Sequence, residues 1–495
     1  MEWIQMKTRT MQGMTLVLLM LMAAFAGCVA DDTSDDTSTS TADTSTSTAD
    51  STNSTADSSS SDSSSSDSSS SDSSSSDSSS SDGSSSDGSS SDSSSSGGAA
   101  VSTMDSEDGG YTYASNVDNH RSLMADMCDI KTYASNAQWT AAKDVYQNGK
   151  NAPKSDGSYR TLAGFAAAAG KQHNYDMFYG MNGSVDAHIM AALDGTGDFA
   201  NTSDTVRYQG VAKLTANMAM VAYTIHELNT AVNKAEAGNW ENNDSGAPHN
   251  WDEGWAFFHG PDENVGCGPV STLNKRANDF GTKTNTSFGD VANTTHAITD
   301  AMVGGLAALQ TNDSTGYNDA GGVVVKNVII AYSQAVLKYT YKMDSTTDAA
   351  KYQAEGYAFW KTIEAYAADY TDACYNNKTH TMAYVGDAAD ATVCDNFAWY
   401  TDFSMGGGPA FTGCYNVVSH TVATGVNESQ CNDGFGAVGS TGMPMYYNNY
   451  GASQMNEVLD LTDATQLGTS YDVSAWLAPV WAHYGITSDD IGSYS

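Results

Sequence analysis

The chain divides by its pattern of apolar positions. Residues 16–25 form a short apolar run, 29–108 hold almost no apolar side chain, and from about 109 onward apolar residues return at helical spacing. In 211–235 they stand at Leu214, Met218, Val221, Ile225, Leu228 and Val232. Steps of three and four residues put them on one face of a helix. The stretches 300–309, 323–343 and 349–370 read likewise, the last through Tyr352, Phe359, Ile363, Tyr366 and Tyr370, and a final helix is predicted over 473–484. Only 7 prolines occur in 495 residues, so long helices can run unbroken. Residues 374–450 differ: they are rich in Gly, Tyr, Asn and Cys, and Gly406-Gly407-Gly408-Pro409 stops any helix there. The prediction is a mainly α protein. A helical bundle over 109–373 is followed by an irregular, disulfide-stapled C-terminal part of the same body, 374–495.

The first 108 residues read as an address and a tether. Lys7 and Arg9 precede the apolar run, which is too short for a bilayer span of roughly 20 residues and suits a secretory signal. It ends in Phe25-Ala26-Gly27-Cys28. Small residues before a cysteine predict lipoprotein processing of the signal 1–27, with lipid on the sulfur of Cys28; ordinary signal cleavage is the rival. Residues 28–108 are then a Ser/Asp/Thr tether with a Ser-Ser-Ser-Ser-Asp repeat and no Lys or Arg. With nothing apolar to bury, such a segment is predicted disordered, a stalk for the body behind it. Removing Cys28 from the 7 cysteines leaves Cys128, Cys267, Cys374, Cys394, Cys414 and Cys431. That is an even set, as an extracytoplasmic chain with up to three disulfides requires; sequence leaves the pairing open. Sequons at Asn201, Asn285, Asn293 and Asn377 are candidate glycosylation sites.

The formal net charge is −38, and the body stays acidic once the tether's aspartates are set aside. That argues against nucleic acid and anionic lipid surfaces as partners and suits a cation ligand or a salty setting.

An internal repeat points to a site. Glu253-Gly254-Trp255-Ala256-Phe257-Phe258 matches Glu355-Gly356-Tyr357-Ala358-Phe359-Trp360 position for position. Each copy follows a long amphipathic helix bearing an aromatic, Tyr223 in one and Tyr332 in the other. Two such units predict a duplicated helix pair forming a four-helix core. Glu253 and Glu355 would open their helices and face a shared axis, where two carboxylates repel unless protonated or bridged by a cation. His226-Glu227 on the first long helix and His249-Asn250-Trp251-Asp252-Glu253 supply further oxygen and imidazole donors, suited to iron, manganese or zinc. The bland reading makes the glutamates helix N-terminal acids and His226 a half-buried hydrogen-bonded histidine. His120, His296, His420 and His483 have no visible partners and read as surface or packing residues.

Several of these stretches resemble the algal iron-assimilation family, the low-iron-inducible periplasmic proteins. The matching segments are 189–199, the run Tyr223-Thr224-Ile225-His226-Glu227-Leu228-Asn229, the run Trp251-Asp252-Glu253-Gly254-Trp255-Ala256-Phe257-Phe258, then 275–282 and 354–360. In order and spacing they cover roughly 160–375. The resemblance implies a secreted or periplasmic helper of iron uptake that holds iron at the cell surface and passes it to a transporter. The motif positions carried over are His226, Glu227, Asp252, Glu253 and Glu355, with iron as the metal.

The functional expectation is therefore a lipid-anchored, non-enzymatic iron-binding protein at the outer face of the membrane. No Gly-x-Ser-x-Gly, His-Glu-x-x-His or P-loop pattern occurs in the body, and a two-metal redox centre would need paired Glu-x-x-His motifs that the chain lacks. A structural or adhesive surface glycoprotein is the alternative from another class.

Overall fold

The structure, a computed structural model, describes residues 107–168, 173–286, 289–376 and 449–494, with the short stretches 381–386, 397–403, 411–416, 421–423, 427–429, 431 and 444–447. The signal, Cys28, the tether up to 106, the sequon Asn377 and Cys394 lie outside the described residues.

A two-strand hairpin, β1 (Glu107–Asp108) and β2 (Tyr111–Thr112), leads in, turning through Gly109 and Gly110 at positive φ. Helices α1 (Asp118–Ser135), α2 (Trp139–Asn148), α3 (Leu162–Ala166), α4 (His173–Tyr179) and α5 (Ser184–Asp194) follow. Ser203 then caps α6 (Asp204–Lys213) by accepting the Val206 N–H, which satisfies one orphan donor of the first turn. A π-helical turn, Leu214–Ala219, joins α6 to α7 (Met220–Glu236), so the predicted helix is the C-terminal three-quarters of one long rod. Next come α8 (Ala247–Phe258), with Pro248 in its first turn, and α9 (Pro269–Phe280), closed by Gly281 in the left-handed region. The hairpin β3 (Lys283–Thr286) and β4 (Gly289–Ala292) precedes α10 (Asn293–Gln310), α11 (Ser314–Tyr341, capped by Asp313) and α12 (Ala349–Ala367).

The 374–450 region is less irregular than its composition suggests. It contains β5 (Asp372–Asn376), β6 (Thr381–Gly386), β7 (Phe397–Phe403), β8 (Phe411–Asn416), β9 (Thr421–Ala423) and β10 (Pro444–Tyr447). These pair antiparallel as two small sheets, ordered β10-β5-β6 and β7-β8-β9. Aromatic residues such as Phe397 and Trp399 in β7 and Phe411 and Tyr415 in β8 favour extended backbone even among glycines. Three short helices end the chain: α13 (Tyr450–Val458), α14 (Ser474–His483) and α15 (Ser488–Ile491). The disulfides Cys128–Cys267 and Cys414–Cys431 are formed, and Cys374 is also disulfide-bonded.

The predicted duplication is present: α7 packs on α8 and α11 on α12, each a helical hairpin, and α11 also packs on α7. Tyr223 and Tyr332, the matched aromatics, are both fully buried, Tyr223 against Phe257 and Tyr332 against Phe359 of their own units. The apolar stretch of α11 is 72% buried inside the protein, which marks it as a core helix. Close approach is enforced by glycine: a Cβ on Gly305 of α10 would stand 2.2 Å from the Trp251 ring. The repeated glutamates do not open their helices. Glu253 and Glu355 are each the seventh residue of theirs, a full turn and more inside, so the N-terminal dipole does not explain them.

Candidate functional site

Helix α8 is anchored before it is functional. Trp251 Nε1 donates to the Met302 carbonyl at 2.8 Å and Trp255 Nε1 to the Asp108 carbonyl at 3.0 Å. Asp108 in turn holds Arg121 of α1 through Nε and Nη2, at 2.6 and 2.7 Å, and accepts from Tyr113 Oη at 2.7 Å. These buried contacts fix the rotation of α8 against α1 and the entry hairpin. One face of α8 then presents His249, Asn250 and Glu253 to one place, because steps of three and four residues share a face.

On that face five side chains meet. Glu253 Oε1 lies 3.2 Å from His249 Nε2 and 3.2 Å from His120 Nε2, the latter reaching in from α1. Asn250 Nδ2 donates to Oε2 of Glu227 at 2.5 Å and to Oε2 of Glu253 at 3.1 Å, so one amide bridges the two carboxylates. Glu227, Glu253, Asn250 and His120 are buried and His249 is partly so. Burial raises the Glu253 carboxyl, but His120, His249 and the Glu227 side chain together outweigh it and hold its pKa far below the usual carboxylate range. The His120 ring is wedged edge-on against Phe257 at 5.2 Å between centroids.

The tautomer of His249 follows from its other nitrogen. Ser115 Oγ donates to Asp252 Oδ2 at 2.7 Å and lies 2.9 Å from His249 Nδ1. A hydroxyl has one proton, so His249 Nδ1 carries the hydrogen in that contact. In a neutral ring the Nε2 lone pair therefore points at the Glu253 carboxylate. Either a proton or a metal cation must lie between those two acceptors. A chain from carboxylate through hydroxyl to imidazole also orients a ligating histidine and raises its basicity.

Each predicted residue is thus located. Glu227 and Glu253 come together, with His249. His226 stands at the rim, its Nε2 4.0 Å from Glu227 Oε1. Asp252 is turned to a positioning task, accepting from Tyr111 Oη (2.6 Å), the Ala114 and Ser115 N–H groups (3.0 and 2.7 Å) and Ser115 Oγ. Burial nonetheless pushes its pKa up to about 6. Glu355 is elsewhere, among Tyr339, Tyr208, Lys213 and Lys342; the neighbours of the two repeated glutamates are different groups. His120, read from sequence as a packing residue, is a member of the cluster. Its segment carries no motif, and only the fold brings α1 to α8.

Oxygen and imidazole donors of this kind suit iron, and donor separations near 3 Å are those across an ion with bonds of about 2.1 Å. Among the described residues no group of three or more His, Cys, Asp or Glu side chains is preformed to hold a metal ion. The five side chains are closed on one another by hydrogen bonds and close polar contacts.

The sequence model of the low iron-inducible periplasmic protein family matches residues 92–363, a span that includes α1, α7, α8 and α11. The chain belongs to this family. No curated protein and no solved structure matches it.

Proposed function

We propose that this protein binds iron as cargo outside the cytoplasm and assists its assimilation when iron is scarce, without catalysing a reaction. The family's description supports a periplasmic or surface setting and a link to low iron. The observation that carries the reading is the pair of imidazole nitrogens facing one Glu253 oxygen at 3.2 Å, beside a second buried carboxylate. Glu253, Glu227, His249 and His120 would hold the ion, with His226 near enough to join. Lipid on Cys28 and the Ser/Asp tether would keep the body at the outer membrane face, and a transporter would take the released ion.

Binding competes with protons, because imidazole and carboxylate must be deprotonated to ligate. Affinity therefore falls on acidification, which gives a route for release. The test is the iron stoichiometry of the full-length chain beside the Glu227→Gln, Glu253→Gln double variant. Near-stoichiometric iron that falls about 100-fold or more in affinity in the variant supports the reading. Two equally folded proteins that both bind no iron would overturn it and favour a structural surface protein.

A further inference from the structure

A group of basic side chains in this very acidic protein lies apart from the His/Glu cluster. Six of the chain's 21 Lys and Arg residues interact electrostatically there: Lys131, Lys213, Lys275, Arg276, Lys338 and Lys342. They come from α1, α6, α9, α11 and the turn after α11, so the fold has gathered them. The carboxylates among them are Asp279, which binds Arg276 Nη2 at 2.9 Å and Lys338 Nζ at 2.8 Å, and Glu355. Cations remain in excess. A set of like charges in a low-dielectric setting is costly unless something offsets it.

Three of them, Lys275, Arg276 and Lys338, line a cavity of about 510 Å³, whose wall also includes Ser271, Asn274 and Asp279. Arg276 is only 5% exposed, yet among the described residues its buried Nε and Nη1 make no well-aligned hydrogen bond, with Tyr339 as their polar neighbour. A buried unmet donor on a guanidinium is expensive. The guanidinium lies over the Tyr339 ring, 5.2 Å from its centroid, which fixes its plane. The Cys128–Cys267 disulfide ties α1, and with it Lys131, to the Val265-Gly266 wall of the cavity. Burial lowers the Lys213 pKa to about 8; Glu355 opposes the shift, and Lys275, Lys131 and Arg276 add to it.

We infer that this cavity is a binding site for a small, multiply charged oxyanion of the carboxylate or phosphate kind, with Arg276 as its buried donor and Lys275 and Lys338 at its sides. The volume suits a small organic ligand rather than a lone halide. A negatively charged protein repels anions at long range, so a site for one has to be built from local cations and donors. The inference is independent of the iron reading, since none of these residues belongs to the His/Glu cluster.

The test is calorimetric titration of the metal-free full-length chain with citrate, with inorganic phosphate, and with sodium chloride at matched ionic strength. Saturable binding of citrate, phosphate or both, absent with chloride, is expected, and the anion that binds tells the two sources apart. Lys275→Gln is at the surface and leaves the core intact; it should weaken binding about 10-fold, and Arg276→Gln more. Lys326→Gln, a lysine outside the group, should change nothing. No saturable binding of either anion at millimolar concentration would overturn the proposal. So would equal weakening by Lys326→Gln, which would reduce the effect to overall charge.

Discussion

The two copies of the Glu-Gly-aromatic-Ala-aromatic-aromatic unit share a backbone and differ in company. In the first, Glu253 faces two histidines, a second carboxylate and a bridging amide. In the second, Glu355 sits among tyrosines and lysines. The glycine after each glutamate lets the preceding helix or a neighbour come close: a Cβ on Gly254 would meet Leu228 at 3.1 Å, and one on Gly356 would meet Leu459 at 2.8 Å. Duplication therefore supplied a packing frame twice, and the side chains arriving from other elements decided the chemistry of each copy. His120 from α1 makes the first copy suited to a cation. Lys213 and Tyr339 make the second a lining for the positive region.

The largest expected effect tests that divergence directly. Glu253→Gln should weaken iron binding about 100-fold, whereas Glu355→Gln should leave it within about 2-fold. An equal loss in both would show that the copies still act as a pair, as their sequence symmetry suggests. A smaller effect concerns how firmly the first copy is seated. Gly305→Ala forces a methyl into the rigid Trp251 ring and should cost about 2–3 kcal/mol in denaturant unfolding. Gly356→Ala meets only the end of a leucine side chain and regains about 1 kcal/mol of helix propensity, so its net effect should be under about 1 kcal/mol. A further effect is on pH dependence. Lys213 has a lower pKa folded than unfolded, so between about pH 8 and the ordinary lysine range the unfolded state holds more protons. Stability then rises with pH across that window. Lys213→Met should abolish that part of the rise, measured by chemical denaturation at stepped pH.

Much of the helical frame was legible in the sequence, because buried helix faces repeat every three or four residues. The nearness of Glu253 to Glu227 and His249 was suggested by the repeat and by the donors in the run 249–253 and on the preceding helix. His120 was not: it lies in a helix with no motif, and its meeting with Glu253 spans more than a hundred residues. Asp252 reads as a ligand by adjacency, but alternate residues on a helix face different ways, and its oxygens go to Tyr111 and Ser115. The small sheets of 374–450 escaped because their strands are only three to seven residues long, too short among glycine and asparagine to show a period. The positive cavity escaped because its basic residues come from α9 and α11, more than sixty residues apart, and only the fold brings them together.

The Cys128–Cys267 link has a consequence for biosynthesis. Its two sulfurs are 139 residues apart, so the first emerges and waits about 7–30 s for the second at typical rates of elongation. No other cysteine lies between them. Apart from Cys28, the first thiol that Cys267 meets as the chain emerges is the correct one. The four remaining cysteines follow only later, and Cys414 needs just 17 more residues to reach its mate. Order of appearance alone thus sorts the long bridge from the later cysteines, and a cysteine inserted between 128 and 267 would spoil oxidative folding even where it disturbs no contact in the finished protein.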